Sequence, residues 1–521
     1  MTDTLSKYFN TLVYLRPKQI FYQLWNRMYR APYLELTSPE VLSGLTFSRF
    51  ITKPVSYDGH SFRFLNIGDA FSSWDDLKHG MLWTYNLNYM DFLQQDGLTF
   101  EEGMSWIGRF IADVNVNKVG QDPYPTALRA LNWIKFINEH FSEIDAERLR
   151  TLNDSLYSQC VYLSKRIQYH LMGNHLLEDA FSLLVASIYF SDRKLYKKSS
   201  KLLRKQLREQ LLPDGAHFEQ SPMYHCILLD RLLDCYNFSI NNIRHEGQEQ
   251  FNAFLKDMAM KMLGHLEAIL YSDKSFPLFN DSAIGISPQP EQLLSYARRL
   301  GLAWEKIPMK EVGYRCMSND HMEMFADVGN VTASYQPGHT HADTFTYELR
   351  MDGLEFIVDT GISTYEKDAR RLYERGTTAH NTVVIDGRDS SQVWSGFRLG
   401  RRAGVTLLED AEDRLAASHD GYGKDCKHTR VFSMSSDMVR ISDTVSNDCS
   451  AVSYVHLAPG VKVLSCSNEG VLTDRGMIEI RGAESVKVEE GNVSESYNSL
   501  KPSLVLVIRF VGSMSYTIKK S

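Results

Sequence analysis

Histidines and carboxylates capable of metal binding or proton transfer are concentrated between residues 337 and 382. His339 and His341 are separated by one residue, and Asp359 and His380 follow them. In an extended segment, two side chains at that spacing leave the same face. Imidazole and carboxylate ligands without thiolates suit zinc. These residues predict a metal site, a proton-transfer site or both, and histidines hydrogen-bonded to the backbone at strand ends are the alternative.

A second group of polar residues lies at two predicted helix starts. His175 and Glu178 are three residues apart, so they share one helical face. Asn174 and Glu178 also fit a simple cap, in which an asparagine precedes a first-turn carboxylate. Tyr224 follows a polar and aromatic loop, where a tyrosine either packs or transfers protons. Both interpretations stay open for each residue.

The elements that must position the second group are helical. From about residue 100 to 305, apolar residues recur at spacings of three and four, as in the stripe Leu152, Leu156, Cys160 and Leu163. The predicted helices cover residues 147–171, 176–190, 193–212, 222–243 and 247–271. Short turns separate them, which predicts a closed or partly closed array of antiparallel helical hairpins.

The first group, the histidines and carboxylates after residue 337, lies in a part of the chain where apolar residues recur with a period of two. Residues 346–351 and 354–359 flank an Asp-Gly turn and predict a β-hairpin. Further strands are predicted at 381–385, 405–408, 429–434, 438–443, 452–457, 477–480 and 504–510. Many short strands indicate an antiparallel β-sandwich. The predicted organisation is a partly helical N-terminal segment at 1–95, a helical domain at 96–310 and a β-sandwich domain at 311–521.

Composition excludes several classes of partner. The 521 residues carry a formal net charge of −7, so no global basic field favours nucleic acid or a membrane surface as the main partner. No run of about twenty apolar residues predicts membrane insertion, and the N-terminus does not resemble a signal peptide. The seven cysteines never form a Cys-x-x-Cys pair and are expected to be reduced thiols. A cytoplasmic location is predicted, whereas the oligomeric state is not.

Five motifs in order resemble the heparinase II/III family of polysaccharide lyases. They are Gly-Asn-His-x-x-Glu at 173–178, Gln-Ser-Pro-Met-Tyr at 220–224, His-x-His-Ala-Asp at 339–343, Asp-Thr-Gly at 359–361 and Ala-His-Asn-Thr-Val at 379–383. Segments 83–89 and 124–133 also resemble that family. The resemblance implies an N-terminal (α/α) toroid, a C-terminal antiparallel β-sandwich, and an acidic polysaccharide bound between them. Cleavage would proceed by β-elimination and leave an unsaturated uronate.

The resemblance also assigns roles to residues. Asn174 or His175 would neutralise the uronate carboxylate, Tyr224 would transfer protons, and His339 would be its partner. One structural zinc ion would be held by His341, Asp359 and His380. The predicted substrate-binding residues are Tyr85, Asn86, Arg129, Trp133, Glu178, Asn280 and Arg375.

Uronate chemistry is consistent with these residue types. The C5 proton is a poor acid because its removal builds negative charge beside a carboxylate. Hydrogen bonds or cations must therefore first stabilise that carboxylate. A base must reach C5 and an acid must reach the C4 oxygen. A uronyl C5-epimerase uses the same proton abstraction but returns a proton from the opposite face without cleavage. That enzyme and a non-catalytic carbohydrate-binding protein are the alternatives.

Overall fold

Helices dominate the first three hundred residues of the computed structural model, which describes residues 3–520. They are α1 (Asp3–Leu12), α2 (Pro17–Met28), α3 (Met81–Tyr89), α4 (Phe100–Asp113), α5 (Pro123–Glu139), α6 (Ala146–Lys165), α7 (Asn174–Tyr189), α8 (Arg193–Gln210), α9 (Pro222–Asn241), α10 (Gln248–Ala268) and α11 (Pro290–Arg299). A short helix, α12 (Ala369–Glu374), lies later, among the strands of the second part of the chain. The five helices predicted from periodicity are therefore confirmed as α6 to α10, most of them beginning or ending a few residues inside the predicted ranges.

The helices form two layers. Helices α5, α7 and α9 bury almost every residue, because their sequences are mostly apolar or uncharged and several of their few charged side chains pair with one another, as Arg231 does with Glu178. In α8, by contrast, Leu195, Leu202, Leu203 and Leu207 form one buried stripe and the charged residues face solvent. An inner layer inside an outer, amphipathic one is the double-layered arrangement of a helical toroid.

The second part of the chain consists mainly of strands. Two strands precede it and eighteen lie within it: β1 (Ser61–Phe64), β2 (Ile67–Ala70), β3 (Tyr314–Ser318), β4 (Met322–Asp327), β5 (Tyr347–Met351), β6 (Leu354–Ile357), β7 (Val383–Ile385), β8 (Val393–Trp394), β9 (Arg398–Leu399), β10 (Val405–Asp410), β11 (Arg414–His419), β12 (His428–Met434), β13 (Met438–Val445), β14 (Ser450–His456), β15 (Val463–Ser467), β16 (Gly470–Thr473), β17 (Gly476–Arg481), β18 (Ser485–Ser496), β19 (Ser499–Val511) and β20 (Ser513–Lys520). The predicted hairpin is confirmed as β5 and β6.

These strands pair in antiparallel sheets around one core. The largest has the order β10-β11-β12-β13-β20-β17-β16-β15, and two four-stranded sheets have the orders β18-β19-β14-β7 and β3-β4-β5-β6. Burial alternates along β12 and β13, so one face of the large sheet points inward. There Ile441 and Tyr516 join Leu349 and Ile508 from the smaller sheets in one apolar cluster. The predicted β-sandwich is confirmed.

The toroid and the sandwich are joined by buried polar contacts. Tyr271 donates a hydrogen bond to Glu348 at 3.1 Å, and the backbone N–H of His341 donates to Oδ1 of Asn280 at 2.9 Å. The last toroid helix ends at Arg299 and the first sandwich strand begins at Tyr314, so the predicted boundary at residue 310 falls between them. No helix in the part of the chain that the structure describes is long and apolar enough to cross a membrane.

Candidate active site

A cavity of about 630 Å³ lies between the toroid and the sandwich. Its toroid wall includes Tyr85 of α3, Tyr124 of α5, Asn174 of α7 and Tyr224 of α9, all from the first or second turn of their helices. The N-terminal end of a helix carries partial positive charge and unpaired N–H groups. Four such ends around one cavity favour a negatively charged ligand.

Asn174 is held by the buried carboxylate of Glu219. Its backbone N–H donates to Oε1 of Glu219 at 3.0 Å, and its side-chain Nδ2 donates to Oε2 at 2.8 Å. The preceding Gly173 has a φ of +60°, and a Cβ there would lie 2.1 Å from Oε1 of Glu219. Nδ2 of Asn174 also lies 3.4 Å from Nε2 of His339. The side-chain amide is therefore fixed, with one of its two hydrogens bonded to Glu219 and the other left for His339 or a ligand in the cavity.

His339 is buried against a carboxylate. Its Nδ1 lies 2.8 Å from Oδ2 of Asp281. A carboxylate only accepts hydrogen bonds, so Nδ1 carries the hydrogen and Nε2 is the nitrogen whose lone pair the neutral form of the ring presents. The ring is thus prepared to accept a proton on the side that lines the cavity.

Tyr224 lies directly beside His339. The two ring centroids are 4.0 Å apart, with 32° between the ring planes, and the hydroxyl of Tyr224 lies 3.3 Å from that of Tyr365. Burial raises the pKa of Tyr224 above its usual value, and nearby Asp281 and Glu219 add to the shift while Tyr365 opposes it. In the free protein Tyr224 is therefore a proton donor.

Two histidines of the helical half, His175 and His225, do not supply a cation beside Tyr224. Burial lowers the pKa of His175 to about 3, with His339 and His170 acting in the same sense. Burial likewise lowers the pKa of His225 to about 3. Both rings are neutral near pH 7, so neither can stabilise the phenolate of Tyr224 by charge. His175 lines the cavity and contacts Tyr124, with the ring centroids 4.7 Å apart and 60° between the ring planes.

Charged residues line the toroid side of the cavity. Arg231 lies 3.4 Å from Glu178 through Nε and donates to Asp230 at 3.0 Å. Lys53 lies 3.3 Å from the same aspartate. Burial raises the pKa of Glu178 to about 7, with Arg231 acting in the opposite sense. Arg231 and Lys53 are the cations that face the cavity from the toroid, and both are shared with buried carboxylates.

The predicted metal residues lie together beneath His339. Nε2 of His341 lies 2.8 Å from Asp281, and Nδ1 of His380 lies 2.7 Å from Asp359. The remaining nitrogens, Nδ1 of His341 and Nε2 of His380, are buried without a hydrogen-bond partner in the described structure, as is Oδ2 of Asp343. The two imidazole rings are 5.3 Å apart. Two imidazole lone pairs and one carboxylate oxygen are therefore left unpaired in one buried place.

The third predicted ligand, Asp359, is hydrogen-bonded within the cluster, and its role as a metal ligand stays a prediction. Asp359 accepts from His380 with Oδ2 and from the backbone of Gly361 with Oδ1 at 3.0 Å, so each oxygen has a hydrogen-bond partner. Such a carboxylate orients a ligating histidine from behind. Within residues 3–520 no three histidine, cysteine or carboxylate side chains stand arranged to hold a metal ion. The unpaired atoms nevertheless fit zinc chemistry, with Asp343 as the available carboxylate.

The predicted substrate-binding residues fall into two groups, of which the first lines the cavity or supports its wall. Tyr85 and Asn86 line it, with Tyr85 donating to Asp122 at 3.0 Å and Asn86 to its own helix backbone at 2.8 Å. Glu178 lies behind Arg231, so it contacts the wall and not the open space.

The second group lies outside the cavity wall. Arg129 is fully buried and donates to Gln159 at 2.8 Å and to two backbone carbonyls. Trp133 is also buried and contacts the sulfur of Met90. Asn280 donates to the carbonyl of Gln220 at 3.0 Å. These side chains hold the toroid and the domain interface in place.

Arg375 does not face the cavity either. It is buried, donates to the carbonyl of Thr340 at 2.7 Å, and has its pKa lowered to about 9 by burial and by Arg371. It therefore supports the backbone between His339 and His341 from behind.

Several site residues were not predicted from the sequence. Arg231 had a usable signal, because Tyr224, Ile227 and Arg231 have the spacing i, i+3, i+7 of one helical face, and all three line the cavity. No local sequence pattern marks Asp281 or Glu219, because the histidine and asparagine side chains that they bind lie far away in sequence.

The fold and the site define a class of protein with a helical toroid, a β-sandwich and a cleft between them. Residues 127–298 match the family model described as Heparinase II/III N-terminus, and residues 303–519 match Heparinase II/III-like, C-terminal. The chain belongs to the heparinase II/III family.

Curated relatives share part of this chain. The heparin-sulfate lyase of Pedobacter heparinus is 26% identical over 266 residues, which are 45% of this chain and 39% of that protein. The heparin-sulfate lyase of Bacteroides stercoris is 22% identical over 327 residues, which are 56% of this chain and 46% of that protein. The matched regions thus span less than half the length of these relatives.

Solved structures share the fold. A crystal structure of heparinase III has a TM-score of 0.69 at 16% identity and covers 87% of this chain and 80% of that one. Heparan sulfate lyase HepC from Pedobacter heparinus has a TM-score of 0.58 at 17% identity and covers 96% and 87%. At such identities the likeness establishes the fold and not the substrate.

Proposed function

We propose that this protein is a polysaccharide lyase that cleaves a uronic-acid-containing polysaccharide by β-elimination. One observation carries the proposal: Asn174, Tyr224 and His339, from two different domains, meet in one cavity. Nδ2 of Asn174 lies 3.4 Å from His339, whose ring lies 4.0 Å from that of Tyr224. An amide donor, a phenol and an imidazole are the groups that the reaction requires.

The cavity suits a uronate anion. Helix N-termini surround it, and Arg231 is a guanidinium that can meet a carboxylate in bidentate fashion. Tyrosine rings on the walls offer flat faces for pyranose rings. The curated relatives are named heparin-sulfate lyases, so a glycosaminoglycan is the first class of substrate to test.

Each chemical step of the β-elimination can be assigned to one residue. Asn174 donates a hydrogen bond to the uronate carboxylate and stabilises the charge that develops there. Nε2 of His339 takes the C5 proton, the electrons of that bond form the C4=C5 double bond, and the C4–O bond breaks. Tyr224, which is protonated in the free protein, gives its proton to the departing oxygen. The products are an unsaturated uronate and a free hydroxyl on the other fragment.

The position of the two acid–base groups favours one stereochemistry. With ring centroids 4.0 Å apart, no sugar ring fits between Tyr224 and His339, so both reach the substrate from one side. This supports syn elimination from a uronate whose C5 hydrogen and C4 oxygen share a face, as in glucuronate. A C5-epimerase needs donors on opposite faces and is not favoured.

A zinc ion would complete the part of the site that lies beneath the cavity. We infer that His341 and His380 would bind it through their unpaired nitrogens, together with Asp343, while Asp281 and Asp359 orient the rings. The bound ion would cross-link two loops of the sandwich, one carrying His341 and Asp343 and the other carrying His380, beneath the cavity without touching the substrate. The cytoplasmic location stays a prediction.

A matched pair of polymers tests the function. Chondroitin contains glucuronate, and dermatan is its iduronate epimer with the same backbone. We expect the ultraviolet absorbance of an unsaturated uronate to appear with chondroitin or heparan sulfate and not with dermatan. Solvent deuterium at C5 without cleavage would support an epimerase, and binding without either change would support a carbohydrate-binding protein. Cleavage of dermatan alone would contradict the one-sided arrangement.

A further inference from the structure

Helices α1 and α2 pack on the rest of the protein through buried polar side chains, together with ring contacts of Tyr8 with Trp394 and of Tyr22 with Tyr169. The hydroxyl of Thr11 accepts a hydrogen bond from the indole of Trp394 at 3.0 Å. Gln19 donates to the carbonyls of Leu171 and Tyr335 at 3.2 and 3.1 Å. Thr11 and Gln19 are both buried. An amphipathic surface helix usually does the reverse and packs its apolar stripe against the core.

The apolar faces of both helices therefore point outward. Phe9 is 60% exposed and Leu12 is 52% exposed on α1, and Phe21, Leu24 and Met28 are 57%, 52% and 77% exposed on α2. Their spacings of three and four residues make a continuous stripe on each helix. We call these two stripes the N-terminal apolar surface. A contiguous exposed surface of this kind marks a site of interaction.

Arg16 is paired with Glu209, and the exposed charge at the far end of α2 is positive. Between Asp3 and Glu35 the chain has Lys7, Arg16, Lys18, Arg27 and Arg30 and no carboxylate, although the whole protein carries a net charge of −7. Arg27 and Arg30 are exposed beside Met28 at the far end of α2.

The ligand must therefore combine apolar and anionic groups. A phospholipid surface with anionic headgroups combines acyl chains with negative charge, and basic amphipathic helices with aromatic residues lie in such interfaces. A second copy of this chain docked through the same surface would bring the five cations against their own copies.

We propose that α1 and α2 dock this protein on an anionic phospholipid surface, with the N-terminal apolar surface entering the headgroup region. The helices lie in the plane of the interface and do not span it. Because Gln19 is bonded to the carbonyl of Leu171, which lines the cavity, docking holds the cavity close to the lipid surface. The net negative charge of the whole chain does not oppose this, since charges more than about 10 Å away are largely screened.

Vesicle co-sedimentation tests the proposal without using catalysis, so its result is independent of the proposed lyase activity. We expect the full chain to sediment with vesicles of phosphatidylglycerol and phosphatidylcholine and to remain in solution with phosphatidylcholine alone. The double variant Phe21→Ser/Met28→Ser should lose binding at least tenfold. Arg27→Gln should weaken it about fivefold, and added salt should weaken it further. Leu464→Ser, at a residue 62% exposed on β15, is the matched control and should bind as wild type does.

Two results would overturn the proposal. One is that the double variant and the control Leu464→Ser both bind anionic vesicles with wild-type affinity. The other is that wild type does not bind the vesicles and instead forms a concentration-dependent dimer, seen by analytical ultracentrifugation, that the double variant does not form. Thermal unfolding should be nearly unchanged in the variants, because the altered side chains are exposed.

Discussion

Oδ2 of Asp281 accepts a hydrogen bond from Nδ1 of His339 at 2.8 Å. The other oxygen accepts one from Nε2 of His341, also at 2.8 Å, and Arg371 donates to both oxygens. Burial alone would favour the neutral acid, but Arg371 and the two histidines hold the pKa of Asp281 well below its usual range. One ionised carboxylate thus fixes the tautomer of His339 and links it to the predicted metal residues.

Replacing this carboxylate should impair turnover more than binding. In Asp281→Asn the side-chain amide can donate to Nδ1 of His339, which would move the ring hydrogen to Nε2, where the base is needed. We expect kcat to fall on the order of a hundredfold or more, with a smaller change in KM.

A second buried aspartate provides the control. Asp443 accepts from His428 at 2.8 Å and from Arg430 at 2.7 Å, and it does not line the cavity. Both Asp→Asn variants should lower thermal stability, because each leaves a buried guanidinium poorly paired. Only Asp281→Asn should lower kcat beyond the loss of folded protein. An equal loss of kcat in both variants would mean that Asp281 acts through stability alone.

Tyr224→Phe removes the proposed acid without removing the ring beside His339. We expect kcat to fall by about a thousandfold, whereas the melting temperature should change little. Tyr365→Phe removes the hydroxyl 3.3 Å away and should cost less than about tenfold, because a water can replace that hydrogen bond. Steady-state rates of unsaturated uronate formation measure both variants. A larger loss in Tyr365→Phe would reassign the acid to Tyr365.

Elemental analysis tests the zinc site. We expect about one zinc per chain in the wild-type protein and none in His380→Ala, whose imidazole has an unpaired nitrogen beside His341. His428→Ala removes another buried histidine that lies among the sandwich strands, and zinc should be retained there. Chelation should lower the melting temperature of the wild type but not of His380→Ala. Wild-type protein that is folded and active without zinc would contradict the assignment.

Helices and strands could be predicted where their apolar residues recur at a regular spacing in the sequence. Helix α8 has one apolar stripe among charged residues, and that pattern is readable in sequence. Strand β18 alternates poorly in burial and carries a glycine and charged residues, so it was not predicted. Its place in the sheet depends on pairing with β19, which supplies the buried neighbours.

Residues within motifs were predicted, but the contacts that orient them were not. Asn174, Tyr224 and His339 lie in short motifs and do meet in the cavity. Their orienting carboxylates, Glu219 and Asp281, are 45 and 58 residues away from the groups that they bind. Those pairings arise from the packing of the toroid against the sandwich, which has no local sequence signal.

Gly173 should tolerate no side chain. Gly173→Ala places a Cβ 2.1 Å from Oε1 of Glu219 at a positive φ, so Glu219 must release Asn174. We expect a loss of about 1–3 kcal/mol in unfolding free energy and a clear fall in kcat. Gly285→Ala, with a φ of +84° and no atom within 4 Å, isolates the backbone cost. Equal kinetics in the two variants would show that Glu219 does not position Asn174.

The buried Glu178 should make stability depend on pH. Burial raises its pKa to about 7 from an ordinary 4.5. Between those values the folded protein binds a proton that the unfolded chain has lost, so the contribution is present at low pH and is lost as pH rises towards 7. Its full size is about 3 kcal/mol.

Chemical denaturation of wild type and Glu178→Gln at several pH values isolates this contribution. The wild-type unfolding free energy should fall more steeply with pH between about 5 and 7 than that of the variant, because glutamine does not titrate. Glu348, whose pKa burial raises to about 8, titrates in both proteins and cancels in the difference. Parallel pH profiles would mean that Arg231 keeps Glu178 ionised in the folded protein throughout this range.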